Sequence, residues 1–151
     1  MRTASDKIRV IGRREFVDFP DLGLYNLEAK IDTGAYTSSI HCKDIMLKTV
    51  NGKQILYFTL LDESHPEYSE KSHESHDFSR KKIKNSFGEM EERYVIRTLV
   101  RLERKRIKTT ISLSDRENMR YPVLIGRRMI KGKFIVDVNK IHTRLKKTKK
   151  K

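Results

Sequence analysis

Residues 29–42, Ala-Lys-Ile-Asp-Thr-Gly-Ala-Tyr-Thr-Ser-Ser-Ile-His-Cys, place one acid, Asp32, at the end of an apolar strand and follow it with residues too small to cover it. An ionised carboxylate there is costly to bury unless a proton, a metal or hydrogen-bond donors sit beside it. The pattern marks Asp32 as a candidate catalytic group. Gly34 lets the backbone turn and approach the carboxylate, Ala35 keeps the space open, and the Thr33 hydroxyl can both donate and accept. The same tripeptide also fits an ordinary turn in which Asp caps the loop.

A second stretch, residues 121–130, runs Tyr-Pro-Val-Leu-Ile-Gly-Arg-Arg-Met-Ile. Apolar residues with Asp-Thr-Gly-Ala, followed far downstream by apolar residues with Gly-Arg, resemble the retropepsin-like aspartic proteases. Over residues 8–138 the ordered set is Gly12-Arg13-Arg14-Glu15, Pro20-Asp21-Leu22-Gly23, 29–42, Asn85-Ser86-Phe87-Gly88, Glu92-Arg93, then Asp115-Arg116 through to Gly126-Arg127. It is similar to the bacterial retropepsin-like family labelled ATP-dependent zinc proteases, RimB-like in type and linked with RimK-type ATP-grasp glutamate ligases.

The resemblance implies an aspartic peptidase in which Asp32 activates water, Thr33 braces its partner across a two-fold axis and the Gly34 amide helps hold the carboxylates. Ala35 would line the floor, and Ile125, Gly126 and Arg127 would thread beside the catalytic loop. It also implies acidic or glutamate-extended protein tails as substrate and association with a RimK-type ligase. Peptide hydrolysis by aspartates needs two carboxylates sharing a proton. One chain supplies only Asp32, so a homodimer is expected. Tyr36 stands where viral retropepsins carry an acid for the later arginine, so Arg127 must find another partner, with Glu15 or Asp115 as candidates.

The elements that must position these residues are mostly strands. Leu27, Ala29 and Ile31 alternate with polar residues, giving a half-buried strand that delivers Asp32, and 37–42 resumes an extended pattern with Ile40 and Cys42 on a different side from Ser39 and His41. Asn51-Gly52 favours a tight hairpin before a strand at 54–61. Residues 62–84 are polar and predict an insertion or mobile loop. Residues 85–88 with 92–102 form either a substrate-covering flap, which would make Phe87 and Gly88 substrate-binding, or an ordinary hairpin. Arg104 to Arg106 mark a turn, 107–113 a strand, 114–118 a polar turn or short helix, 121–125 a buried strand, 126–131 a short helix and 134–138 a last strand. The expected fold is all-β, a closed retropepsin-like barrel with one short helix near the C-terminus, in one domain over 1–139.

Net charge is +14, from 34 Lys and Arg against 20 Asp and Glu, and half of it lies in residues 140–151, which hold seven basic residues and no acid. That segment predicts a basic, disordered tail. The single cysteine excludes an intramolecular disulfide, and the absence of a signal-like or spanning apolar run predicts a cytoplasmic protein without membrane association.

Zinc is the rival chemistry, with His41, Cys42, Asp32, His65, His73 and His76 as candidate ligands. There is no His-Glu-x-x-His or Cys-x-x-Cys, and adjacent His41 and Cys42 on a strand point to opposite faces. No phosphate-binding glycine loop is present. No metal or cofactor is expected. A rival from a different class is a non-catalytic basic β-barrel that binds nucleic acid, through the tail, or an acidic protein; scattered aromatics and the lack of tryptophan give it little support as a base-stacking surface.

Overall fold

The computed structural model describes residues 7–84, 87–115 and 120–144. Eleven strands and one short helix follow in order: β1 (Arg9–Ile11), β2 (Arg14–Phe19), β3 (Leu24–Ile31), β4 (Ser38–Val50), β5 (Lys53–Leu60), β6 (Ser72–Ser75), β7 (Phe78–Lys84), β8 (Met90–Leu102), β9 (Lys105–Ser114), β10 (Val123–Ile125), α1 (Arg127–Ile130) and β11 (Phe134–Val136). The mostly-β expectation with one late helix matches this architecture.

The large sheet runs β10-β3-β2-β8-β9-β4-β5-β6, with β7 added beside β8. Short β10 is parallel to β3, pairing Val123 with Ala29 and Ile125 with Ile31, and antiparallel to β4, pairing Val123 with Ile40. The hydrogen-bonded path therefore returns on itself through β10. Inside it lies one core, in which Phe19, Leu27, Ile40, Leu56, Phe58, Leu102, Ile111, Leu113, Ile125 and Met129 are almost wholly buried. Asn51 and Gly52 both take positive φ (51° and 79°), the primed-turn geometry that twists β4 and β5 into a hairpin.

Three expectations change. The loop expected over 62–84 is met by 62–71, which carry no strand, but not by 72–84: β6 pairs antiparallel with β5, and β7 pairs with β8 from Phe78–Ile96 to Lys84–Met90. Their polar composition is compatible with strands because backbone groups make the ladder and most of the β7 side chains face solvent. Second, Ser38, Ser39, Ile40, His41 and Cys42 are all buried, so β4 does not alternate. It is covered on both faces where β10 and β9 flank it. Third, the charged turn before β9 falls at Glu103 and Arg104, while Lys105 and Arg106 already belong to the strand.

The C-terminal segment departs furthest from a solvated tail, because Lys140 to Arg144 strap across β2 and β3. The wholly buried Glu15 accepts from the Gly12 amide (2.6 Å) and from the Thr143 amide and hydroxyl (2.9 and 2.8 Å). The wholly buried Asp18 accepts from Arg144 Nη1 (3.0 Å) and the Asn26 amide (2.8 Å). His142 stacks on Phe16, with ring centroids 4.3 Å apart, and Gly12 is obligatory because a Cβ there would meet the Lys140 carbonyl oxygen at 2.2 Å. Buried carboxylates need such partners, so these basic residues are recruited to the fold. The expected tail from 145 to 151, the Asn85-Ser86 end of the hairpin tip and the 116–118 turn lie outside the described residues.

Truncation after Asn139 is expected to strip Glu15 of Thr143 and Asp18 of Arg144 and to cost about 3–5 kcal/mol, the range for breaking a buried charge pair. Truncation after Arg144 should leave stability near that of the full chain. Urea melts of the three proteins check this.

Candidate active site

Asp32 leaves β3 in the gap where β10 enters. Its amide donates to the Ile125 carbonyl (2.8 Å), and its Oδ1 accepts from the Gly34 amide (2.9 Å). The carboxylate is half-buried, which keeps water within reach, while Thr33 and Gly34 are exposed.

The downstream segment is stitched to this loop. The Gly126 amide donates to Ser38 Oγ (2.9 Å), the Arg127 amide to the Ala35 carbonyl (2.8 Å) and the Arg128 amide to the Tyr36 carbonyl (3.0 Å). Gly126 lies so close to the loop that a Cβ would sit 2.7 Å from the Tyr36 carbonyl oxygen and 2.9 Å from that of Ala35. Only glycine allows that crossing.

Arg127 does not pair with Glu15 or Asp115. Its Nη1 donates to the Thr33 carbonyl (2.9 Å), and its guanidinium lies 5.8 Å from the centroid of the Tyr36 ring. Glu15 is consumed by the C-terminal strap, and Asp115 lies on the other side of β4, with Oδ1 3.8 Å from His41 Nδ1. The aromatic face of Tyr36 and one carbonyl thus take over the role expected of an acid.

These groups border a cleft of about 470 Å³ that holds Asp32, Gly34, Ala35, Arg127, Lys82 and Lys84 on its walls. The hairpin therefore does face the Asp32 loop, but through β7 side chains. Phe87 is 89% exposed and, like Gly88, is absent from the lining. The contribution of Lys82 and Lys84 has no signal in the sequence, since it depends on β7 pairing across 62–84. Arg93 also reaches the cleft, and its Nε donates to Glu91 (2.6 Å).

The candidate zinc ligands do not assemble. Among the described residues no three His, Cys, Asp or Glu side chains are grouped to hold an ion. His41, 4% exposed, donates from Nε2 to Asp62 Oδ2 (2.7 Å), and the Ser64 amide and hydroxyl hold the Asp62 carboxyl below its usual range. Cys42 is wholly buried, and burial pushes its thiol up to about 12. His65 accepts from the Glu67 amide, His73 stacks on Phe58 and His76 lies near Glu74. The zinc of the family label does not fit these residues.

The family model for the retropepsin-like aspartic endopeptidase RimB matches residues 10–147. The chain belongs to the RimB-like family. The match contains Asp32-Thr33-Gly34, Gly126-Arg127 and the strap residues Lys140 to Arg144. Proteins named probable alpha-L-glutamate ligase are similar to this RimB-like chain: one from Shewanella halifaxensis is 35% identical over 137 residues, 88% of this chain, and one from Desulfotalea psychrophila is 33% identical over 133 residues, 85% of it. The chain spans only 29% and 28% of those two proteins. A crystal structure of a Legionella pneumophila protein of unknown function superimposes with a TM-score of 0.72 at 27% identity, covering 91% of this chain and 99% of that one. No helix among the described residues is long and apolar enough to cross a membrane.

Gly126→Ala is expected to push β10 and the Asp32 loop apart and to destabilise the protein by about 1–3 kcal/mol, as overpacking does. Thermal unfolding measures the loss, and amide exchange of Asp32 and Arg127, whose amides donate across the crossing, should accelerate with it.

Proposed function

We propose that this RimB-like domain is an aspartic peptidase, that its strand ring acts as a closed retropepsin-like barrel, and that two copies of Asp32 meet across a two-fold axis to activate water. The observation that carries the reading is Asp32 itself: a half-buried carboxylate on a cleft wall, braced by the Gly34 amide, with no second acid lining that cleft among the described residues. One carboxylate must take a proton from water while the other donates to the scissile carbonyl. A single copy of the site has half of that machinery.

A second copy has a surface to use. β1 and β11 form a separate parallel ribbon that pairs Val10 with Ile135, and Ile8, Val10, Ile135 and Val138 are all exposed. Covering such apolar side chains is the ordinary driving force of an isologous interface.

The preferred substrate in this reading is an acidic polypeptide. Lys82, Lys84, Arg93 and Arg127 border the cleft, with Asp32 its one lining acid among the described residues, so a substrate carboxylate meets a cationic wall. The relatives named as glutamate ligases suggest a setting in which glutamates added by a RimK-type ligase are trimmed by this domain.

Asp32→Asn is expected to leave the melting temperature within a few degrees of the parent and to abolish hydrolysis of a glutamate-rich peptide, because the amide cannot serve as base. Near-parental cleavage would refute the mechanism. Specific activity should also fall on dilution as the dimer separates, and Val10→Asp should bring the same loss at concentrations where the parent is still dimeric by sedimentation. Activity that stays with the monomer would refute the paired site.

A further inference from the structure

The outer face of the β8–β9 ladder carries a row of cations, three of which make no ion pair among the described residues. Register places Arg97 opposite Thr110, Leu99 opposite Lys108 and Arg101 opposite Arg106, while Thr98, Val100 and Leu102 point into the core. Arg97, Arg106 and Lys108 are exposed and have no ion-pair partner among the described residues. Arg128 joins the row from α1, its Nη1 donating to Thr110 Oγ1 (2.9 Å). No acid interrupts residues 97–101 or 106–110. Arg101 directly faces Arg106, a like-charge pair that works against the sheet. Asp18, with Oδ2 3.8 Å from Arg101 Nη1, offsets it only in part.

The row begins where the cleft ends. Ser112 lines the cleft and pairs with Val95, and the next outward-facing rung is Arg97 with Thr110. From the Ser112 rung to the Arg101–Arg106 rung is six residues, about 20 Å at the rise of a strand. Same-face side chains recur about every 7 Å along it, the spacing of alternate side chains in an extended peptide.

We propose that Arg97, Arg106, Lys108 and Arg128, with Arg101 at the far end, form an exosite that holds an extended acidic polypeptide as it leaves the Asp32 cleft. The proposal rests on the acidic-substrate reading above and adds the site for the part of the substrate outside the cleft. A polypeptide is favoured over single-stranded nucleic acid because no aromatic side chain lies in residues 97–101 or 106–110, and base stacking supplies much of the affinity of single-strand binders. Three cations at this spacing, without ion pairs among the described residues, attract a polyanion strongly at low salt and weakly beyond the screening length of ~8 Å at physiological salt.

The test is direct binding to the full-length Asp32→Asn protein, so that turnover plays no part. Fluorescence anisotropy is read with a labelled oligoglutamate about twelve residues long, which spans cleft and track, and one about four residues long, which fits the cleft alone. Arg97→Gln with Arg106→Gln and Lys108→Gln is expected to weaken the long probe on the order of tenfold at low salt. The same triple should leave the short probe and the circular dichroism melt unchanged. Removing equal charge elsewhere, by Lys48→Gln, Lys53→Gln and Lys71→Gln, should have little effect. Equal losses from both triples, or none from either, would overturn the exosite. An RNA of equal length that binds more tightly than the peptide and depends on the same three residues would overturn its polypeptide assignment. If wild-type protein fails to cleave the long probe while track-dependent binding is seen, the exosite stands and the peptidase reading falls.

Discussion

The site depends on a three-residue strand held between two others. β10 is too short to be stable alone, yet it pairs with β3 on one side and β4 on the other, just where those strands diverge around Asp32. Its backbone then continues into the Asp32 loop's own hydrogen bonds through Ile125, Gly126, Arg127 and Arg128. The loop is consequently positioned from both directions by main-chain groups. Main-chain positioning tolerates wide variation in side chains, which is consistent with a fold retained at 27% identity in the Legionella protein.

Much of this was legible because it is encoded locally. The period-two pattern of Leu27, Ala29 and Ile31 specified a strand ending at Asp32 and Asn51-Gly52 specified a hairpin, whereas the close approach at Gly126 was legible only through the family resemblance. What was not legible depends on partners distant in sequence. His41 reads as an isolated histidine until Asp62, 21 residues away, is folded against it. The segment 72–84 reads as a loop because a strand held by backbone bonds at a solvated face needs no apolar alternation. Residues 140–144 read as solvated charge because nothing in their composition reveals that Glu15 and Asp18 are waiting beneath them.

Charge is divided among three tasks in this molecule. Arg144 neutralises a buried acid, Arg127 bridges a carbonyl and an aromatic ring at the cleft, and Arg97, Arg106 and Lys108 remain in solvent along the outer sheet. A net charge of +14 therefore overstates the field available to a ligand, and position rather than total decides which cations act on one.

The strap also ties the order of synthesis to the order of folding. Glu15 and Asp18 emerge among the first residues of this segment, but the groups that satisfy them lie 126–128 positions later. β10 likewise reaches β3 only after some ninety residues of intervening chain. Until residue 144 has cleared the ribosome, β2 carries two solvated carboxylates on what will become an interior face, and the gap between β3 and β4 stands open. Such high contact order slows closure and leaves strand edges exposed meanwhile. The Asp32 loop, β10 and the strap can therefore close on one another only after residue 144 has been made, and the long-range contacts that shape the cleft wait for β10 and the strap together.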